Sequence, residues 1–147
     1  MAISYDDVVN AQKTQDNVIR KTSLTFSDTF TKITGSTVYL KNEFEQKTGS
    51  FKLRGAYYKI KTLSEEEKRN GVVAASAGNH AQGVAFASAL EKIKCVIVMP
   101  KNASPAKVAA TKAYGATVVL AGKNYDESWI KAQGIAKTTG ATIIHAF

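Results

Sequence analysis

Four short runs of β-branched and small apolar residues, beginning at residues 71, 95, 116 and 141, set the strongest limit on what this chain can fold into. They are Gly71 to Ser76, Cys95 to Met99, Ala116 to Ala121 and Ala141 to His145. None alternates with polar residues as a strand with one wet face would, so they read as strands buried on both faces of a parallel sheet. Helical patterns fill the intervals. His80 to Ile93 carries Val84, Ala85, Ala89 and Leu90; Ser104 and Pro105 form an N-cap and first-turn pair opening a helix that ends near Gly115; Tyr125 to Thr139 carries Trp129, Ile130 and Ala136. The order is βαβαβαβ with right-handed crossovers expected, which predicts an α/β fold with a three-layer parallel sheet and flanking helices over residues 71–147.

Residues 1–70 read differently. Tyr5 to Arg20 has a weak amphipathic pattern through Val8, Val9 and Ile19; Thr37 to Leu40 is a strand after a Gly35-Ser36 turn; Gly49 to Leu63 is a helix with Phe51, Ala56, Tyr57 and Ile60 at helical spacing. These elements do not close a core by themselves, so a division at residues 70 and 71 is expected.

An apolar content of 44% with 22% charged residues is that of a globular chain. No segment approaches the roughly 18 apolar residues of a membrane span, and Met1 to Asp7 lacks the basic and apolar regions of a leader, so a cytoplasmic protein without membrane contact is expected. Cys95, the single cysteine, sits in an apolar run and reads as a buried thiol. The net charge of +8 raises the question of a polyanion partner. The lysines are spread from Lys13 to Lys137 without interleaved stacking aromatics, so a solvated basic surface is the reading and no nucleic acid is expected. His80 and His145 have no cysteine or carboxylate partners at ligand spacing, so no metal site is expected.

Two segments carry chemistry. Ser50-Phe51-Lys52-Leu53-Arg54-Gly55 opens a predicted helix, preceded by Glu43, Gln46 and Gly49. A lysine held in a partly desolvated place can present a neutral primary amine to an aldehyde. Ser76-Ala77-Gly78-Asn79-His80 joins a buried strand to a helix, where unpaired backbone N–H groups suit an anion and Gly78 permits close backbone approach. Read alone, Lys52 is one lysine among seventeen and Asn79 is an ordinary N-cap. Gly78 and Gly83 have a P-loop's spacing, but Val84-Ala85 follows where Lys and Ser/Thr are needed.

Together, in this order, the two motifs resemble the pyridoxal-phosphate enzymes of the tryptophan-synthase β-subunit-like fold, in particular the threonine/serine dehydratase branch, from about Thr22 to Phe147. The resemblance implies pyridoxal 5'-phosphate as cofactor, Lys52 as its lysine and catalytic base, Phe51 beside its ring and Asn79 on its phenolic oxygen. It implies that Ser76, Gly78, Asn79 and His80 hold the carboxylate of a small amino-acid substrate. The implied reaction is β-elimination from L-threonine or L-serine, giving 2-oxobutyrate or pyruvate and ammonia; isoleucine biosynthesis and catabolism both fit. Ala77 stands where serine racemases carry a second acid/base, and His80-Ala81 stands where cysteine synthases carry Thr-Gly, so both branches are disfavoured. Thr22-Ser23-Leu24 departs from the family's Thr-Pro-Leu, a change that loosens a turn.

By the same resemblance, residues 1–70 are the N-terminal part of an incomplete large cofactor domain and 71–147 a small α/β domain. The family's glycine-rich phosphate loop and its pyridine-nitrogen residue come from a later part of the chain. An inactive N-terminal portion of a longer, homo-oligomeric enzyme is therefore the expectation. The alternatives are a non-catalytic amino-acid-binding module and a basic polyanion-binding domain.

Overall fold

The structure, a computed structural model, describes residues 3–146. After helix α1 (Tyr5–Gln15) come strand β1 (Leu24–Phe26), helix α2 (Asp28–Thr34), strand β2 (Tyr39–Lys41) and a 3-10 turn (Glu43–Glu45). Helices α3 (Lys52–Lys61) and α4 (Glu65–Asn70) lead into strand β3 (Val72–Ala75), helix α5 (Asn79–Leu90) and strand β4 (Cys95–Met99). Helix α6 (Pro105–Ala113), strand β5 (Thr117–Leu120), helix α7 (Tyr125–Thr139) and strand β6 (Thr142–Ile143) complete the order.

The four predicted runs form one parallel sheet in the order β5-β4-β3-β6, with Val72 opposite both Cys95 and Thr142. Side chains alternate between two apolar layers. Val72, Ala74, Cys95, Ile97 and Met99 pack with α3 and α5, whereas Val73, Ala75 and Val98 pack with Ala132 and Trp129 of α7. Helices on both faces explain why the runs lack polar alternation. Burial on both faces holds for the central strands β3 and β4. The edge strands β5 and β6 are only partly covered, which corrects the expectation for those two runs. Among the described residues, no helix is long and apolar enough to cross a membrane.

Other corrections are local. The first helix ends at Gln15 rather than Arg20, and its start is fixed by a capping box between Ser4 and Asp7. Ser104 precedes α6 without a side-chain cap hydrogen bond, and Pro105 alone marks the start. Strands β1 and β2 form a separate antiparallel pair, Leu24 opposite Lys41 and Phe26 opposite Tyr39, whose residues are all exposed. Leu53, Tyr57 and Ile60 of α3 share a buried cluster with Val72 and Ile97 of the sheet.

Candidate active site

Helix α3 forms because Leu53, Ala56, Tyr57 and Ile60 recur at helical spacing and are buried on one stripe. Leu53, rather than Phe51, anchors its first turn: Phe51 is 59% exposed and stands outside the core. Lys52 is the first helical residue. The turn before it is made by Gly49, whose positive φ of 70° favours glycine and whose N–H donates to the Gln46 carbonyl at 2.8 Å. The Lys52 amine lies 5.5 Å from the Phe51 ring centroid and donates to the Ala146 carbonyl at 2.7 Å.

Helix α5 brings the second motif alongside. Its buried Gly83 rests on the backbone of the first turn of α3. A Cβ at that position would stand 3.2 Å from both the Leu53 nitrogen and the Lys52 carbonyl carbon. No other side chain would let the two helices approach so closely. Farther along, Glu91 latches them, accepting from the Tyr57 hydroxyl at 3.1 Å and from the Lys61 amine at 3.0 Å.

The turn into α5 is organised by Ser76, whose Oγ accepts from the N–H groups of Gly78 and Ala81, each at 3.3 Å. Gly78 occupies the cap position without a side-chain cap, and Asn79 is the first helical residue. Asn79 is therefore not the N-cap that an isolated reading of the motif gives. Its exposed carboxamide and the N–H groups of Asn79 and His80 meet no acceptor or donor among the described residues. The His80 ring is buried and bonded through Nε2 to the Ile144 carbonyl at 3.0 Å. Burial, and less so the nearby charges of Lys52 and His145, hold its pKa below the ordinary value despite that hydrogen bond. A neutral ring donating to a carbonyl fixes position rather than moving protons, which leaves the backbone N–H as the group of His80 that could donate to an anion.

Phe51, Lys52 and His80 line one pocket of about 280 Å³. Ser76, Gly78 and Asn79 are not among its walls; they form the turn that leads into His80. Gly55, Ala56, Lys59, Ile144, His145 and Ala146, not singled out from the sequence as site residues, complete the lining. Lys59 was legible in principle, lying two turns along α3 from Lys52. The 144–146 segment carried no local signal; the sheet brings it there, and His145 packs edge-on against Trp129 at 4.8 Å.

This donor set fits an aldehyde cofactor at its reactive end. A primary amine stands beside an exposed aromatic face, and a carboxamide and two N–H groups without partners are carried on the adjoining helix start. Comparison with known proteins agrees. The chain is 50% identical over 145 residues to an L-threonine ammonia-lyase from Thermotoga maritima, covering 99% of this chain and 36% of that protein. Among solved structures, a serine racemase from Dictyostelium discoideum superposes with a TM-score of 0.90 at 35% identity, over 99% of this chain and 47% of that one. Threonine deaminase isoform 2 from Solanum lycopersicum does so with 0.86 at 35%, over all of this chain and 42% of that one. The chain thus spans less than half the length of each. The family model described as "Pyridoxal-phosphate dependent enzyme" matches residues 16–147, and the chain, in which Gly83 of α5 rests on the backbone of Lys52 and Leu53, belongs to that family.

Proposed function

We propose that residues 1–147 carry the lysine and the carboxylate-binding turn of an enzyme that eliminates the β-hydroxyl of L-threonine or L-serine, yielding ammonia and 2-oxobutyrate or pyruvate. The observation that carries this reading is the packing of α5 on α3 at Gly83, which sets Lys52 and the start of α5 around one pocket. When bound, pyridoxal 5'-phosphate supplies an aldehyde carbon and an electron-withdrawing ring. Lys52 would hold the aldehyde end, Phe51 would lie beside the ring and the Asn79 carboxamide would be the donor for the phenolic oxygen. The N–H groups of Asn79 and His80, with the Ser76 hydroxyl and with Gly78 permitting close backbone approach, would bind the substrate carboxylate and so fix which hydrogen faces the lysine. Once the substrate's own amine has displaced it from the aldehyde, Lys52 Nζ would take that α-proton; the β-hydroxyl would leave with a proton as water, and the enamine left behind would take up water to give the 2-oxo acid and ammonia. His80 keeps the turn tied to Ile144 throughout.

Serine racemases share this fold, yet Ala77 presents only a methyl group and cannot exchange a proton, which supports elimination over racemisation. We further assign residues 1–70 to a larger cofactor domain and 71–147 to a small α/β domain. The exposed Leu24, Phe26, Phe30 and Phe44 are surface that the larger domain would cover.

A visible absorption titration with pyridoxal phosphate, parent beside Lys52→Ala, tests the assignment. A yellow band is expected in the parent and not in the variant. Equal colour in both, arising from surface lysines, would overturn it.

A further inference from the structure

Leu53 anchors the first turn of α3, but the loop that leads into Lys52 has no apolar anchor of its own. From the 3-10 turn to α3, Phe44 is 72% exposed and Phe51 also faces solvent, while the buried residues Gln46, Thr48 and Ser50 are polar. The Thr48 and Ser50 hydroxyls make no hydrogen bond among the described residues. Hydrophobic burial therefore does not set where this loop lies.

A polar fork does. Arg54, two residues past Lys52, donates through Nε to one Glu43 oxygen at 2.8 Å and through a terminal nitrogen to the other at 2.7 Å. The Thr22 hydroxyl adds a third donation to Glu43 at 2.6 Å, and the Lys41 amine bonds the Thr22 carbonyl at 2.7 Å. The Glu43 side chain is only 16% exposed, so water competes weakly for it. Gln46 braces the middle of the loop by exchanging hydrogen bonds with the Arg20 backbone at 2.9 and 3.0 Å. The Glu43–Arg54 pair thus closes a loop on both sides of Lys52 and removes freedom the segment would otherwise have.

We propose that Glu43 and Arg54 are positioning residues for Lys52: their two-pronged pair holds the loop from 43 to 54 shut and so fixes the first turn of α3, with its amine, over the pocket. The proposal rests on the reading of Lys52 as the cofactor lysine. It differs from a merely structural role in predicting a defect confined to that lysine and its loop.

The test uses the 147-residue chain and two measurements. Amide hydrogen exchange without cofactor reads the loop. Fixation of pyridoxal phosphate by borohydride reduction, with peptide mapping, reads occupancy at Lys52 against exposed lysines such as Lys101. In Glu43→Gln, residues 47–53 are expected to exchange about tenfold faster and Lys52 occupancy to fall about tenfold, while β3 and β4 amides and Lys101 stay as in the parent. Arg54→Lys keeps the charge without the fork and is expected to show a smaller change in the same places. It also replaces Glu43→Gln as the deciding variant if β3 and β4 lose protection there. Parent-like exchange and occupancy in the folded variants would overturn the positioning role. A parent with no preference for Lys52 would overturn the functional reading, and the positioning role with it; the parent arm alone separates the two failures.

Discussion

Gly83→Ala puts the meeting of α3 and α5 to the test. The added Cβ would lie 3.2 Å from the Leu53 nitrogen and the Lys52 carbonyl carbon and 3.3 Å from the Lys52 oxygen. Favourable separations for carbon begin near about 3.5 Å, and the obstructing atoms are backbone, which no rotamer change can move. Helix α3 must therefore retreat by roughly 0.3 Å at the residue that bears the amine. Overpacking of this kind costs about 1–3 kcal/mol, against which alanine in a helix returns about 0.8–1.0 kcal/mol over glycine. The net expectation is a loss of about 1 kcal/mol, a fall in Tm of about 2–4 °C. Gly134→Ala is the internal control. Gly134 lies within α7 with open space around it, so there the propensity gain acts alone and Tm should rise by a similar amount. Thermal unfolding followed by circular dichroism reads both. Fixation of pyridoxal phosphate at Lys52 should fall in Gly83→Ala and stay unchanged in Gly134→Ala. Stabilisation by both substitutions would refute the claim that Gly83 sets the approach of the helices.

The Arg54 fork, with the Thr22 hydroxyl, lowers the Glu43 carboxyl from 4.5 to about 2 against the opposing effect of burial. A carboxyl whose folded pKa is depressed stabilises above its unfolded value, and that contribution is lost as pH falls from about 4.5 towards 2. Allowing for the partial exposure of Arg54, it amounts to about 2 kcal/mol, read as the difference between parent and Glu43→Gln in urea unfolding at pH 6, shrinking towards zero near pH 2. Burial pushes the Cys95 thiol up to about 11 despite its contact with Ser88. A thiol reagent at pH 8 should leave Cys95 unmodified in the native chain and label it fully in denaturant; rapid native labelling would contradict the burial. Ile97 is 0% exposed on the α3 and α5 side of β4, so Ile97→Ala should cost about 2–5 kcal/mol in urea unfolding, and a loss under 1 kcal/mol would mean that the core collapses to fill the gap.

What was legible in the sequence follows from what repeats locally. The strand β4 and helix α7 lie where their patterns place them, because a strand buried on both faces is written as an unbroken apolar run and a helix as a period of 3.6 residues. Strand β1 and helix α2 were missed because they bury nothing: Leu24, Phe26, Phe30 and Ile33 are all exposed, so no apolar stripe marks a face. Helix α4 was missed although Ser64 and Glu67 spell a capping box, a signal that needs no periodicity. At the site, Lys52 and the Ser76–His80 turn were found as motifs, but Ile144, His145 and Ala146 join them through the β3–β6 pairing, over separations that no local pattern reports. The orientation of the His80 ring towards Ile144 was equally hidden, since residue type does not say which way a buried histidine turns.

Strand β6 pairs with β3, the first-made strand of the parallel sheet, although it is the last of the four to be synthesised. While the chain is being made, β3, β4 and β5 can assemble with α5 and α6, leaving the apolar flank of Val72 to Ala75 as an open edge until residues 142–144 arrive. The Ile144 and Ala146 carbonyls that bond the His80 ring and the Lys52 amine lie 64 and 94 residues farther along the chain, so those two hydrogen bonds form late as well. Until residues 142–144 are free to pair, β3 presents an unpaired, fully apolar edge, the kind of surface on which a neighbouring chain can add a strand.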